Sequence, residues 1–88
     1  MIGFTKALAL EMGPEGITAN AVAPGLVDTP MLRGSGIPPE MLEQSRRQIP
    51  VGRLGTPEDI AAACAFLVSD AAGFVTGQVV SPNGGGWL

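Results

Sequence analysis

Ala23-Pro24-Gly25-Leu26-Val27-Asp28-Thr29-Pro30 is the place where an apolar run in this chain breaks off into turn-forming and hydrogen-bonding residues. The run before it, Ile17 to Ala23, carries no charge and follows Gly13-Pro14-Glu15-Gly16, so it reads as a short buried strand introduced by a turn. Pro24 has no N–H for a sheet ladder and holds φ near about −65°, while Gly25 can take backbone angles closed to other residues. The chain must therefore turn at the strand's carboxyl end, and in open α/β sheets that end is where ligands bind. The stretch predicts a fold class and a site together.

Upstream of it, Phe4, Leu8 and Met12 fall at i, i+4 and i+8, with Ala7 and Leu10 widening the stripe, so Ile2 to Met12 predicts an amphipathic helix. No Ser, Thr, Asp or Asn cap precedes the pattern, and the chain reads as if it opens mid-helix; Gly13 and Pro14 end it. Downstream, Arg33-Gly34-Ser35-Gly36-Ile37-Pro38-Pro39 is too rich in glycine and proline for regular structure and reads as a mobile loop. A short helix follows from Pro39, with Met41, Leu42, Ser45 and Ile49 on one side and Glu43, Arg46 and Arg47 toward water, until Pro50 stops it. Beside a ligand-binding strand end, such a loop and helix suit a lid as well as a plain surface excursion.

Thr56-Pro57-Glu58-Asp59 carries the clearest local signal: Thr56 caps, Pro57 takes the first helical position, and two acids sit at the positive end of the helix dipole. The helix it starts places Ile60, Ala63, Cys64 and Leu67 on one face, with Phe66 adjoining. Gly77 to Ser81 then reads as a second strand, ended by Pro82-Asn83-Gly84-Gly85-Gly86. The order is helix, strand, helix, helix, strand, an α/β arrangement without internal repeats. Two strands joined by a helical crossover should lie parallel with a right-handed connection.

Composition bounds what this arrangement belongs to. With 88 residues, 45% of them hydrophobic, the chain has material for one small core; chains of this size bury only about 60% of their unfolded surface. A net charge of −3 and five scattered basic residues offer no stripe for a phosphate backbone, so nucleic acid is not an expected partner. No run approaches the roughly 20 apolar residues that span a bilayer, and Met1-Ile2-Gly3-Phe4 lacks the features of a secretory signal. A cytoplasmic location is the expectation. One cysteine and no histidine leave no internal disulfide, no common transition-metal site and no histidine-dependent nucleophile.

Four stretches carry a resemblance: Gly3-Phe4-Thr5-Lys6-Ala7-Leu8-Ala9; Gly16 to Gly25; Gly52-Arg53-Leu54-Gly55-Thr56-Pro57-Glu58-Asp59-Ile60-Ala61; and Thr76-Gly77-Gln78 with Asn83-Gly84-Gly85. In this order and spacing they resemble the C-terminal third of the short-chain dehydrogenase/reductase family, most closely its 3-oxoacyl-(acyl carrier protein) reductase type. The resemblance implies one partial domain over residues 1–88, the C-terminal part of a Rossmann-like doubly wound parallel sheet. The strands would be the last two of seven. The family's glycine-rich dinucleotide loop, its Asn-Ala-Gly segment, its catalytic serine and its Tyr-x-x-x-Lys pair have no counterpart here, and the chain contains no tyrosine. No catalytic residue is therefore expected within it.

What the resemblance does carry over is cofactor contact. Pro24 and Gly25 would bring backbone against the nicotinamide of NAD or NADP, Val27 would bond its carboxamide through the main chain, and Thr29 would add a hydroxyl. The chemistry is sound on its own terms, since a carboxamide presents two donors and a carbonyl that backbone groups and a threonine can answer. The implied substrate is a small carbonyl or alcohol compound, the expected assembly a homo-oligomer with Trp87 and Leu88 at a subunit contact. The alternative is a non-catalytic assembly or binding module using the first helix and terminal strand as interfaces.

The other polar candidates read as structural. Asn20, inside an apolar strand, is a buried amide satisfying neighbouring backbone. Cys64 is core filling on a helix's apolar face, and Asp28 a solvated turn carboxylate. Asn83 to Gly86 follows a strand without opening a helix, which does not suit a phosphate cradle.

Overall fold

The computed structural model of the protein describes residues 2–86; Trp87 and Leu88, read above as a subunit contact, lie outside the described residues. Helix α1, Ile2–Met12, ends where glycine and proline require it, in a 3-10 turn over Gly13–Glu15. Gly16 closes that turn at φ 76°, the left-handed conformation that favours glycine. Strand β1, Ala21–Val22, is followed by three helices, α2 (Pro30–Arg33), α3 (Pro39–Arg47) and α4 (Pro57–Leu67), then a 3-10 turn at Asp70–Ala72 and strand β2, Val79–Val80. The strands pair in parallel, Ala21 opposite Val79 and Val22 opposite Val80, as a helical crossover between them demands.

The strand expected over Ile17–Ala23 is regular for two residues, yet its ladder runs well past them. The N–H of Gly77 donates to Ala19 O at 2.7 Å, Ala21 to Gln78 O at 2.9 Å, Ala23 to Val80 O at 2.9 Å and Gly25 to Pro82 O at 3.2 Å. Asn20 ties the near end, its Nδ2 donating to Val75 O at 3.0 Å and its Oδ1 accepting from the Gln78 N–H at 3.1 Å. Half-buried, it satisfies neighbouring backbone as the sequence reading held. The pairing thus carries order from Ala19 to the mouth of the turn.

Two local expectations fail for physical reasons. Helix α2 lies in a stretch read as turn and loop; at four residues it is too short to show a period, and it exists because Thr29 caps it and Pro30 starts it. In α1 the inward residues are Thr5 and Ala9 rather than the Phe4, Leu8 and Met12 stripe. Apolar residues surround this helix, so periodicity alone does not choose a face.

The core is thin. Among the described residues Ala9, Leu67, Ala72 and Thr5 are the buried ones, while Phe4 is 73%, Leu10 81%, Val68 86% and Phe74 103% exposed. Cys64, expected in the core, is exposed as well, because α4 meets β1 only through part of its apolar face. The accessible surface of 6258 Å² exceeds by about 30% the roughly 4,800 Å² of a compact monomer of this mass. The radius of gyration, 15.7 Å, likewise exceeds the roughly 12 Å of a compact domain of this length. These secondary elements leave many large apolar side chains in water.

Candidate functional site

The turn after β1 is shaped by the end of β2. A Cβ on Gly25 would lie 2.8 Å from Asn83 Cβ and 2.9 Å from Asn83 Cα, closer than real contacts allow. Gly25 is not in the left-handed region, so the reason for glycine differs from the one read in the sequence: no side chain fits between the two strand ends. Beyond Asn83 the chain curls, with Asn83 Oδ1 accepting from the Gly85 N–H at 2.9 Å and Gly84 O from the Val51 N–H at 3.1 Å. Gly84 at φ 61° would place a Cβ 2.7 Å from Ile49 Cγ2. The glycine tract is a seat for Ile49 to Val51.

Two residues further along the turn, Val27 is bridged in parallel to Gly55. Leu26 O accepts from the Gly55 N–H at 3.0 Å, and the Asp28 N–H donates to Gly55 O at 2.8 Å. A residue bridged in this way lends its neighbours' groups to the pairing and turns its own N–H and C=O to the other side. Neither group of Val27 has a hydrogen-bond partner among the described residues. One donor and one acceptor thus stand side by side just beyond the carboxyl end of β1. Sequence reasoning missed Gly55, the partner that makes this so, because a bridge spanning these positions leaves no local signal.

The four sequence candidates divide. Pro24 and Gly25 line a cleft of about 430 Å³ shared with Ser45, Gln48, Ile49 and Asn83, beneath the end of α3. Val27 and Thr29 do not line it; they sit on the rim segment that leads into α2. Thr29 is extended at φ −129° and ψ 159°, and its Oγ1 accepts from the Leu32 N–H at 3.1 Å. Its hydroxyl proton and a second lone pair remain for another partner.

Charge around the turn is arranged in pairs. Arg33 grips Asp28 with two hydrogen bonds, Nε to Oδ1 at 2.7 Å and Nη2 to Oδ2 at 2.8 Å, so Asp28 is ion-paired rather than merely solvated. The hydrogen bond from Arg33 holds the Asp28 carboxyl below its usual range, and Arg46 does the same to Glu43. Asp59 is lowered furthest, first by its hydrogen bonds from Arg53 and then by the Thr56 backbone N–H. Thr56 caps α4 as its sequence predicts, and Asp59, expected only as a charge at the helix dipole, completes a reciprocal cap: Thr56 N–H to Asp59 Oδ2 at 2.8 Å, Asp59 N–H to Thr56 Oγ1 at 3.2 Å. The Arg33–Asp28 and Arg53–Asp59 pairs are exposed and contribute little to stability by themselves.

Parallel strands, a ligand-side turn and the order of elements define a piece of a Rossmann-type α/β fold. Residues 1–86 match the family described as Enoyl-(Acyl carrier protein) reductase, and the chain belongs to it, within the short-chain dehydrogenase/reductases. It is 54% identical over 85 residues to acetoacetyl-CoA reductase of Shinella zoogloeoides, covering 96% of this chain and 34% of that protein. With the 3-oxoacyl-(acyl-carrier-protein) reductase of Pseudomonas aeruginosa it shares 51% identity over 86 residues, 98% of this chain and 34% of that one. The crystal structure of a 3-oxoacyl-(acyl-carrier protein) reductase from Brucella melitensis superposes with a TM-score of 0.91 at 44% identity, covering 99% of this chain and 32% of the other. The chain spans about a third of the length of the relatives it matches. Among the described residues no helix is long and apolar enough to cross a membrane.

Proposed function

We propose that this chain is the cofactor-facing and lid portion of an NAD(P)-dependent oxidoreductase that moves a hydride between nicotinamide and a carbonyl or alcohol carbon. The carrying observation is the outward N–H and C=O of Val27 at the ligand end of β1. Val27 O would accept from the carboxamide nitrogen, Val27 N–H would donate to its oxygen, and the Thr29 hydroxyl would add a donor. Pro24 and Gly25 line the adjoining cleft, to which the end of α3 contributes Ser45. The bound nicotinamide supplies or takes the hydride; these residues orient its ring.

The family's tyrosine proton donor has no counterpart in this chain, which holds no tyrosine, so on this reading the proton on the substrate oxygen comes from the rest of the domain. The names of the relatives point to a 3-oxoacyl thioester as the class of substrate. On this reading residues 1–88 form part of a domain, the uncovered apolar faces of α1 and α4 pack against the rest of that domain and against other copies, and the assembly works in the cytoplasm.

Thr29 supplies the test, in a chimera where residues 1–88 replace the matching third of the Pseudomonas aeruginosa reductase. Thr29→Val keeps the shape and removes the hydroxyl, leaving a buried cofactor group unpaired at about 1 to 3 kcal/mol. Dinucleotide affinity is expected to fall by roughly 5- to 150-fold in calorimetric titration. Because Thr29 also caps α2, the apo melting temperature should fall modestly too, by the equivalent of about 1 kcal/mol. Thr29→Ser keeps both roles and should lose much less of each. A lowered apo melt with an unchanged dissociation constant would reduce Thr29 to a brace for the turn.

A further inference from the structure

We infer that the Arg53–Asp59 pair is a positioning device for the cofactor, a clamp that aims the outward N–H and C=O of Val27 by holding both peptide planes of Gly55. The inference rests on the reading of Val27 given above and adds residues to it. Gly55 is joined to Val27's neighbours through two peptide groups. In the Leu54–Gly55 peptide the N–H donates to Leu26 O at 3.0 Å, while the C=O on its far side accepts from Arg53 Nη1 at 3.1 Å. In the Gly55–Thr56 peptide the C=O accepts from the Asp28 N–H at 2.8 Å, while the N–H on its far side donates to Asp59 Oδ2 at 2.8 Å.

A trans peptide is planar with its N–H and C=O opposed, so fixing one end aims the other. Arg53 and Asp59 are themselves joined, Nη1 to Oδ2 at 2.6 Å and Nη2 to Oδ1 at 3.1 Å, which closes the ring. Neither peptide of Gly55 can rotate without breaking a charge-assisted bond. Both bonds also polarise their peptide and strengthen the hydrogen bond on its other side. The orientation of Val27 is thus set by a pair of charges that need never touch the cofactor.

Capping α4 requires only the reciprocal bonds between Thr56 and Asp59. Arg53 has no part in the cap, and its side chain is 57% exposed, so it separates the two roles. Arg53→Met in the same chimera leaves the cap and removes the clamp. The probes are the reduced dinucleotide and ADP-ribose, or its 2′-phosphate, which lacks the nicotinamide. The expected result is about 5- to 50-fold weaker binding of the dinucleotide with ADP-ribose affinity unchanged within about twofold. An equal loss for both probes, or no loss for the dinucleotide, would overturn the clamp.

Thr29→Val, titrated in parallel, tells the two failures apart. If both variants bind the dinucleotide normally, the cofactor reading of the turn fails and the clamp with it; if only Thr29→Val weakens it, the clamp alone fails. Should Arg53→Met not fold, Arg53→Gln, which keeps the chain's polarity without the fork, carries the same comparison with the same criteria.

Discussion

The purified 88-residue chain is expected to oxidise neither NADH nor NADPH above the blank with a 3-oxoacyl thioester, whereas the chimera that restores the upstream two thirds turns it over. The chain alone has no tyrosine and no histidine to protonate a developing alkoxide, and general acid catalysis by itself is typically worth about 10²- to 10⁴-fold. The glycine-rich loop that holds the pyrophosphate in the family is likewise without counterpart, so the dinucleotide would be held only by contacts at its nicotinamide end. The two losses compound, because a weakly held cofactor also loses the orientation on which hydride transfer depends. Turnover by the isolated chain at micromolar protein would contradict the account; an inactive chimera would show that this segment no longer serves the family's chemistry.

The second large effect concerns the solution state. Among the described residues the sheet has two strands, so the far edge of each is unpaired, and exposed large apolar side chains run along α1, α4 and the turn after it. Unpaired edges and contiguous apolar surface drive association, and the three buried apolar residues among the described ones, Ala9, Leu67 and Ala72, offer little to offset the conformational entropy of ordering the chain. The isolated chain should therefore sediment as a mixture of oligomers and melt without a cooperative transition, while the chimera gives one species and one sharp melt. A sharp monomer boundary with a cooperative melt and well-dispersed amide resonances would count against it.

How far the sequence reveals this molecule depends on whether a feature is local. The bounds of α1 follow from glycine and proline after an apolar period, and the start of α4 from side chains that bond their own backbone three residues away. Parallel pairing follows from the length of the crossover. Burial was not legible in the same way: Phe4 and Cys64 are apolar positions that would be core wherever a neighbour covered them, and both are exposed among the described residues. Periodicity names the face that seeks cover; it does not supply the cover.

The site divides along the same line. Pro24 and Gly25 announce a turn, but the reason for glycine is Asn83, far along the chain and delivered by strand pairing. Thr29 looked like a ligand group, and its first bond is to Leu32 N–H in a helix too short to leave a pattern. Gly55 and Arg53 stood inside a stretch that resembles the family, yet nothing in their local sequence says that they hold Val27. The resemblance could point to the turn, and only the fold explains what keeps it in shape.

The central claim, that the outward N–H and C=O of Val27 receive the nicotinamide carboxamide, is tested most directly by a crystal structure of the chimera with NADPH or NADH bound. The account predicts the carboxamide nitrogen within about 3 Å of Val27 O and the carboxamide oxygen within about 3 Å of Val27 N, with the Val27 to Gly55 bridge intact. A nicotinamide seated elsewhere, with both Val27 groups bonded to water, would contradict it.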